Sequence, residues 1–255
     1  ICIRALNFLT GNSFVSAMLV SSLCAIAAAI LMYELAALDY ERETALRAVK
    51  FLFLTPAAFF FAAPMTESLF LLCSLACVYL VRKKHYLWGC LFGALAAFTR
   101  SVGVLLLAFV FVEWLYGLLR ARRMETLPTE KNTLIRQGLC MLLVPLGLAA
   151  YVAINYAVTG DPLKFMQYQR EHWSQGFGLF FETAAYQTEY ALSTAAEGNL
   201  RQLFGLWLPN LAYSFGALGL MAAAAKRLRP SYTAYFLAYF VIAIGATWLL
   251  SAPRY

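Results

Sequence analysis

Two long apolar segments, each broken near its middle by a charge, most constrain what this chain can fold into. The first carries Glu67 and the second Arg100. A charge at the centre of a membrane helix costs roughly 2.5–3.5 kcal/mol on insertion scales, so such a residue belongs at an interface or in a site. Lys50 to Glu67 spans seventeen residues, Glu67 to Arg82 fifteen, Lys84 to Arg100 sixteen and Arg100 to Arg120 twenty. At ~1.5 Å per helical residue each leg covers about 23–30 Å, one thin hydrocarbon core. The spacing therefore predicts two tight hairpins. Their basic feet lie on one side, and their tips, Glu67 and Arg100, meet on the other.

Composition agrees with a bilayer as solvent. The chain is 62% apolar and 13% charged, against about a quarter charged in soluble domains, and its mean hydropathy is +0.69. The fold class expected is all-α, a polytopic transmembrane helical bundle. Its net charge of +7 is not a nucleic-acid signature, because the basic residues come as short clusters between apolar runs. Fourteen Lys and Arg fall in the connectors 39–50, 82–84, 120–136 and 226–229, and six fall elsewhere. The positive-inside rule puts the richer set in the cytoplasm.

Taken in order, crossings are expected at about 14–38, 50–64, 66–81, 86–99, 102–119, 139–158, 203–225 and 232–250. Gly89, Gly93 and Ala97 repeat at spacing four, a small-residue face for helix packing. Residues 120–136 are expected as a basic cytoplasmic loop. An extracytoplasmic loop runs from about 159 to 201. In it, Asp161 followed by Pro162 has the form of an N-cap with proline at the first helical position. The helix that follows groups Leu163, Met166 and Trp173 near one face, which suits a seat in the headgroup zone. The six cysteines match no metal spacing and are expected as buried thiols. No metal site and no cofactor are expected. The chain opens on Ile1 and ends on Tyr255 beside an apolar run, so it is expected to be an internal fragment, with more chain before and after.

Four motifs occur in one order: Pro56 to Phe70 (Pro-Ala-Ala-Phe-Phe-Phe-Ala-Ala-Pro-Met-Thr-Glu-Ser-Leu-Phe), Thr99 to Gly103 (Thr-Arg-Ser-Val-Gly), Gly160 to Phe165 (Gly-Asp-Pro-Leu-Lys-Phe) with Gln169 and Trp173, and Pro253-Arg254-Tyr255. Together they resemble the membrane mannosyltransferases related to the second mannosyltransferase of GPI-anchor assembly, and more closely their bacterial relatives. The resemblance implies a GT-C scaffold, a sugar carried on a polyprenyl phosphate, and transfer outside the cytoplasm or in the endoplasmic reticulum lumen. For a bacterial relative the membrane is the cytoplasmic one. It also implies a catalytic acid in a first outer loop after a first membrane helix. Both would precede Ile1, so no base is assigned here.

Each candidate residue also has a plainer role. Arg100 is a donor-phosphate ligand or the partner of Glu67. Glu67 lines the site or serves as a helix-start acid favoured by the dipole. Arg254 and Tyr255 line the site, or Arg254 snorkels to headgroups. Asp161 is a helix cap or an acid; His172 is a site residue or a hydrogen-bonded spectator; Gln169 and Trp173 are loop candidates. The expected partners are membrane lipid and a polyprenyl-phosphate sugar donor, with a partner subunit open. Two other classes compete. A transporter or flippase for a lipid-linked sugar also uses broken helices with charged tips, but the halves of this chain show no inverted repeat. A non-catalytic subunit on the same scaffold is the other.

Overall fold

The computed structural model describes residues 2–55, 58–125, 127–173, 176, 178 and 180–245, without the side chains of residues 127, 128, 173, 243 and 244. Among them every regular element is a helix. They divide into two compact units, residues 1–150 and 151–255.

In the first unit, α1 (Cys2–Thr10) ends at Gly11, whose φ of +64° suits a residue without a Cβ. Asn12 then caps α2 (Ser13–Ala36), its Oδ1 accepting from the Phe14 and Val15 amides at 2.9 and 3.2 Å. Ser16, Ala17, Ser21, Cys24, Ala25 and Ala28 are buried along this helix, with Leu35 near its end, whereas Leu19, Leu23, Ile26 and Ile30 are exposed. Small residues inside and large apolar ones outside is the pattern of a helix solvated by lipid.

Two prolines shape the return. α3 (Arg42–Leu54) stops where Thr55, the residue before Pro56, turns extended with ψ 145°. The single turn α4 (Phe59–Ala62) stops where Ala63, before Pro64, does the same with ψ 152°. Steric clash with a following proline ring drives both residues out of the helical region. The leg anticipated at 50–64 is therefore an earlier helix from Arg42, then one isolated turn.

The next helix, α5 (Glu67–Arg82), runs parallel to α2. At one end Ser21 Oγ lies 3.4 Å from the Met65 carbonyl just ahead of α5; at the other Arg82 makes two 2.7 Å bonds to the Asp39 carboxylate just beyond α2. α6 (Tyr86–Thr99) comes back along α5. A Cβ on Gly89 would lie 2.7 Å from Val81 Cγ2, and one on Gly93 would lie 3.1 Å from Cys77 Sγ. The small-residue face anticipated at Gly89, Gly93 and Ala97 is thus buried, and its two glycines admit α5. Cys24, Cys73, Cys77 and Cys90 are buried free thiols.

A 3₁₀ turn, Ser101–Leu105, leads into α7 (Leu106–Arg123). α8 (Leu127–Cys140) and α9 (Leu143–Thr159) follow, parted at Met141 and Leu142. Pro145 has no amide to donate to the Met141 carbonyl, which accounts for the break. Residues 120–136, anticipated as a loop, are mostly helical. No Gly or Pro interrupts Thr129 to Gln137, and Leu134 is buried, its carbonyl accepting from Trp114 Nε1 at 2.8 Å.

The second unit holds α10 (Lys164–Trp173), α11 (Phe180–Ala196), the short α12 (Leu200–Gln202), a π-helical turn Leu203–Trp207, α13 (Leu208–Ala224) and α14 (Pro230–Ile244). α11 packs on the π turn and α13. Its buried residues include Thr183, Gln187 and Thr194; those of the π turn and α13 are Trp207, Asn210 and Ser214. Tyr190 stacks on Trp207 at 5.1 Å and 19°.

Among the described residues, four helical stretches are long and apolar enough to cross a membrane: Ser13–Ala36, Ser101–Arg123, Thr129–Thr159 and Leu200–Ala224. Tyr86–Thr99 is apolar but shorter. The chain is an all-α, polytopic membrane protein.

Candidate functional site

Glu67 is the first residue of α5, preceded by Thr66, which makes no side-chain cap bond. A carboxylate here faces the positive end of the helix dipole. Arg100 sits where α6 ends. Its amide still bonds the Ala96 carbonyl at 2.9 Å, but φ −143° and ψ 131° make it extended, and the chain turns. Gly103 makes that turn possible: a Cβ there would fall 2.5 Å from backbone atoms of Ala96 and Ala97. The Gly103 amide bonds the Arg100 carbonyl at 2.8 Å, closing the bend.

This geometry sends the guanidinium to α5. Arg100 Nη1 donates to Glu67 Oε1 at 3.1 Å, and the guanidinium carbon lies 5.7 Å from the centre of the Phe70 ring. The Glu67 side chain is 5% exposed and that of Arg100 15%. Beside them, Ser68 Oγ donates to the Phe61 carbonyl at 2.6 Å, tying the start of α5 to α4. The two tips meet, as the leg lengths predicted. The product is a nearly buried ion pair at a helix N-terminus, with an aromatic face under the cation. A guanidinium so held keeps a rigid fork of donors, suited to bidentate recognition of phosphate or carboxylate.

Asp161, Gln169 and His172 are in the second unit, Gln169 and His172 on exposed positions of α10. Asp161 caps: its Oδ1 accepts from the Leu163 amide at 2.8 Å. The regular helix, however, starts at Lys164, beyond Pro162 and Leu163. His172 Nδ1 lies 3.2 Å from the Tyr168 carbonyl, and Lys164, Gln167 and Glu171 form a hydrogen-bonded line along the helix at 2.7 and 2.6 Å. Leu163 and Met166 are exposed. The Trp173 side chain, Arg254 and Tyr255 fall outside the described residues.

Three features escaped the sequence reading. Glu113 is 2% exposed within α7, itself part of a candidate span; an acid inside the apolar run from Val102 to Leu119 was the available signal. Arg82, a basic foot by its place in the sequence, has a side chain only 7% exposed that pairs with Asp39. The buried Gln187 lay in a stretch whose mixed composition gave no sign of its facing inward, whereas Asn210, a polar residue inside the apolar run expected to cross at 203–225, carried the same signal as Glu113.

Neither the curated proteins nor the solved structures contain a match to this chain. A family model does match: the one described as mannosyltransferase (PIG-V), over residues 3–158. That stretch is more than half of the chain and includes both hairpins with Glu67 and Arg100 at their tips, so the chain belongs to the mannosyltransferase (PIG-V) family.

Proposed function

We propose that this membrane glycosyltransferase, acting on mannose, takes the sugar from a polyprenyl-phosphate mannose. It transfers it outside the cytoplasm to a hydroxyl of a lipid-linked or other acceptor, on a GT-C scaffold in a bacterial cytoplasmic membrane. The observation that carries the reading is Arg100, a guanidinium at the tip of an apolar hairpin, held over Phe70 and against Glu67. In the transfer, the bond from mannose C1 to the phosphate oxygen breaks and its electron pair leaves with the polyprenyl phosphate. The acceptor oxygen bonds C1 and gives its proton to a carboxylate base. Charge grows on the departing phosphate, and a preorganised guanidinium stabilises it there.

In this scheme Glu67 orients Arg100. The base is a separate carboxylate, in the first outer loop that the family resemblance implies. In this reading α10, with Gln169 and His172, lies in the headgroup zone. The donor is a substrate, and no cofactor takes part.

The test uses purified full-length protein in liposomes, given either polyprenyl-phosphate mannose or a nucleotide-linked mannose. Transfer from the lipid donor alone is expected, with Arg100→Lys folding normally but binding the donor more weakly, because lysine keeps the charge and loses the fork. Transfer from the nucleotide sugar, or an Arg100→Lys variant with unchanged donor binding, overturns the proposal.

A further inference from the structure

Lys84 occupies a backbone position that favours glycine. α5 ends in a Schellman turn: the His85 amide bonds the Leu80 carbonyl and the Lys84 amide bonds the Val81 carbonyl, both at 2.9 Å. That turn leaves Lys84 in the left-handed region, at φ +68°, where glycine is usual because it has no Cβ. The Lys84 side chain is exposed, as is that of Lys83. Their ammonium groups stand 6.0 and 5.7 Å from the centres of the Tyr86 and Tyr79 rings. Local folding does not require lysine at 84; what the residue adds is a cation at the tip of the α5–α6 hairpin.

Other cations gather at the same end of the first unit. α6 runs away from this tip, α7 returns to it after the bend at Gly103, and α8 packs on both α6 and α7. The last turn of α7 carries Arg120, Arg122 and Arg123, and α8 carries Lys131, all exposed. Glu125 and Glu130 are the exposed acids between Arg120 and Lys131, so positive charge predominates. One turn further into the same helices the exposed side chains are apolar or aromatic: Leu87 and Trp88 on α6, Tyr116 and Leu119 on α7. A tier of cations next to a tier of tryptophan, tyrosine and leucine follows the order of a membrane leaflet, headgroups first and hydrocarbon next.

We infer that this basic face binds the phosphates of anionic phospholipids, in the leaflet that the basic clusters assign to the cytoplasm. The adjoining apolar tier is what selects lipid over an acidic protein. Acyl chains solvate Trp88 and Leu119 while the headgroup of the same molecule meets Lys84 or Arg123, whereas a water-soluble partner meets the cations alone. Basic residues beside a bilayer attract anionic headgroups in this way. The inference stands apart from the sugar donor and from the Glu67–Arg100 pair, which lies at the opposite end of α5 and α6.

The experiment uses full-length protein in phosphatidylcholine liposomes that carry a trace of photoactivatable phosphatidylglycerol. In the wild type, label is expected in peptides covering 83–88 and 116–131. Unlabelled phosphatidylglycerol should displace it and further phosphatidylcholine should not, and added salt should weaken the capture, because exposed charges are screened. Lys84→Gly is the discriminating variant. It relaxes the left-handed position, so its unfolding midpoint in detergent should equal or exceed that of the wild type. Its affinity for phosphatidylglycerol should nevertheless fall about fivefold, the worth of one base near an anionic surface. Lys84→Arg keeps the cation and should keep the affinity. Arg122→Gln with Arg123→Gln, at exposed positions of α7, gives a second reading at the other helix end and should also weaken capture. Label confined to other helices, displacement by both lipids alike, or a Lys84→Gly protein that captures phosphatidylglycerol as well as the wild type does overturns the inference.

Discussion

Arg100 Nη1 reaches Glu67 Oε1 at 3.1 Å across 33 positions of sequence, joining the tips of two successive helical hairpins. With side chains only 15% and 5% exposed, neither charge is well solvated without the other. Removing one member of such a pair costs about 3–5 kcal/mol, whereas removing both relieves part of that. We predict that Glu67→Gln and Arg100→Gln each lower the unfolding midpoint in detergent, and that the double mutant regains part of the loss. If Arg100 holds the donor phosphate as proposed, mannose transfer should stay absent in the double mutant. Recovery of transfer along with stability would make the pair purely architectural.

Sidedness is open to cysteine labelling. Ser68 is the obvious probe by sequence, but it is fully buried; Thr66 and Ser101 are exposed beside the ion pair. In a background without the native cysteines, Thr66→Cys and Ser101→Cys should react with an impermeant thiol reagent added from outside intact cells. Met124→Cys, beyond the basic end of α7 and exposed, should react only after the membrane is opened. The reverse pattern would invert the topology derived from the basic clusters.

The meeting of Glu67 with Arg100 was legible because lipid imposes lengths. A basic foot, an apolar leg of about one bilayer and a polar tip recur in the sequence, and Glu67 and Arg100 fall at the tips. The interruptions at Pro56 and Pro64 were not read, because the leg was expected unbroken over 50–64, although Thr55 and Ala63, each before a proline, are driven out of the helical region. Polarity misled at 120–136, where charged residues at unbroken helical spacing form the outer faces of α7 and α8 instead of a loop. Burial of single polar residues was the least legible. Gln187 faces inward because of what packs on it, and a pattern along one chain does not carry that.

α10 exposes Leu163 just before its first turn and Met166 within it. If these side chains rest in lipid headgroups, Leu163→Ser with Met166→Ser should release the helix. Limited proteolysis of liposome-reconstituted protein should then cut between residues 160 and 180 several-fold faster, while fragments of the first unit persist. Equal cutting rates in the mutant and the wild type would show that lipid does not hold the helix.

Gly147 of α9 lies close against the backbone of Ala94 in α6. A Cβ on Gly147 would fall 1.9 Å from the Ala94 carbonyl oxygen and 2.6 Å from its carbon. The obstacle is helical backbone, which cannot rotate aside as a side chain does, so even one methyl must separate the helices. Overpacking of this kind costs typically about 1–3 kcal/mol and sometimes more. α6 carries Arg100 at its end, and displacing it would loosen the contact with Glu67. Gly147→Ala is therefore predicted to lower thermal stability and donor binding together. Gly216→Ala is the control: it adds the same methyl to α13, where nothing lies within 4 Å, and should be neutral or stabilising by about 0.5–1 kcal/mol, because alanine loses less backbone freedom than glycine on forming a helix. Thermal unfolding of the two variants beside the wild type decides it. A Gly147→Ala protein as stable as the wild type would mean that α6 and α9 are not packed backbone to backbone.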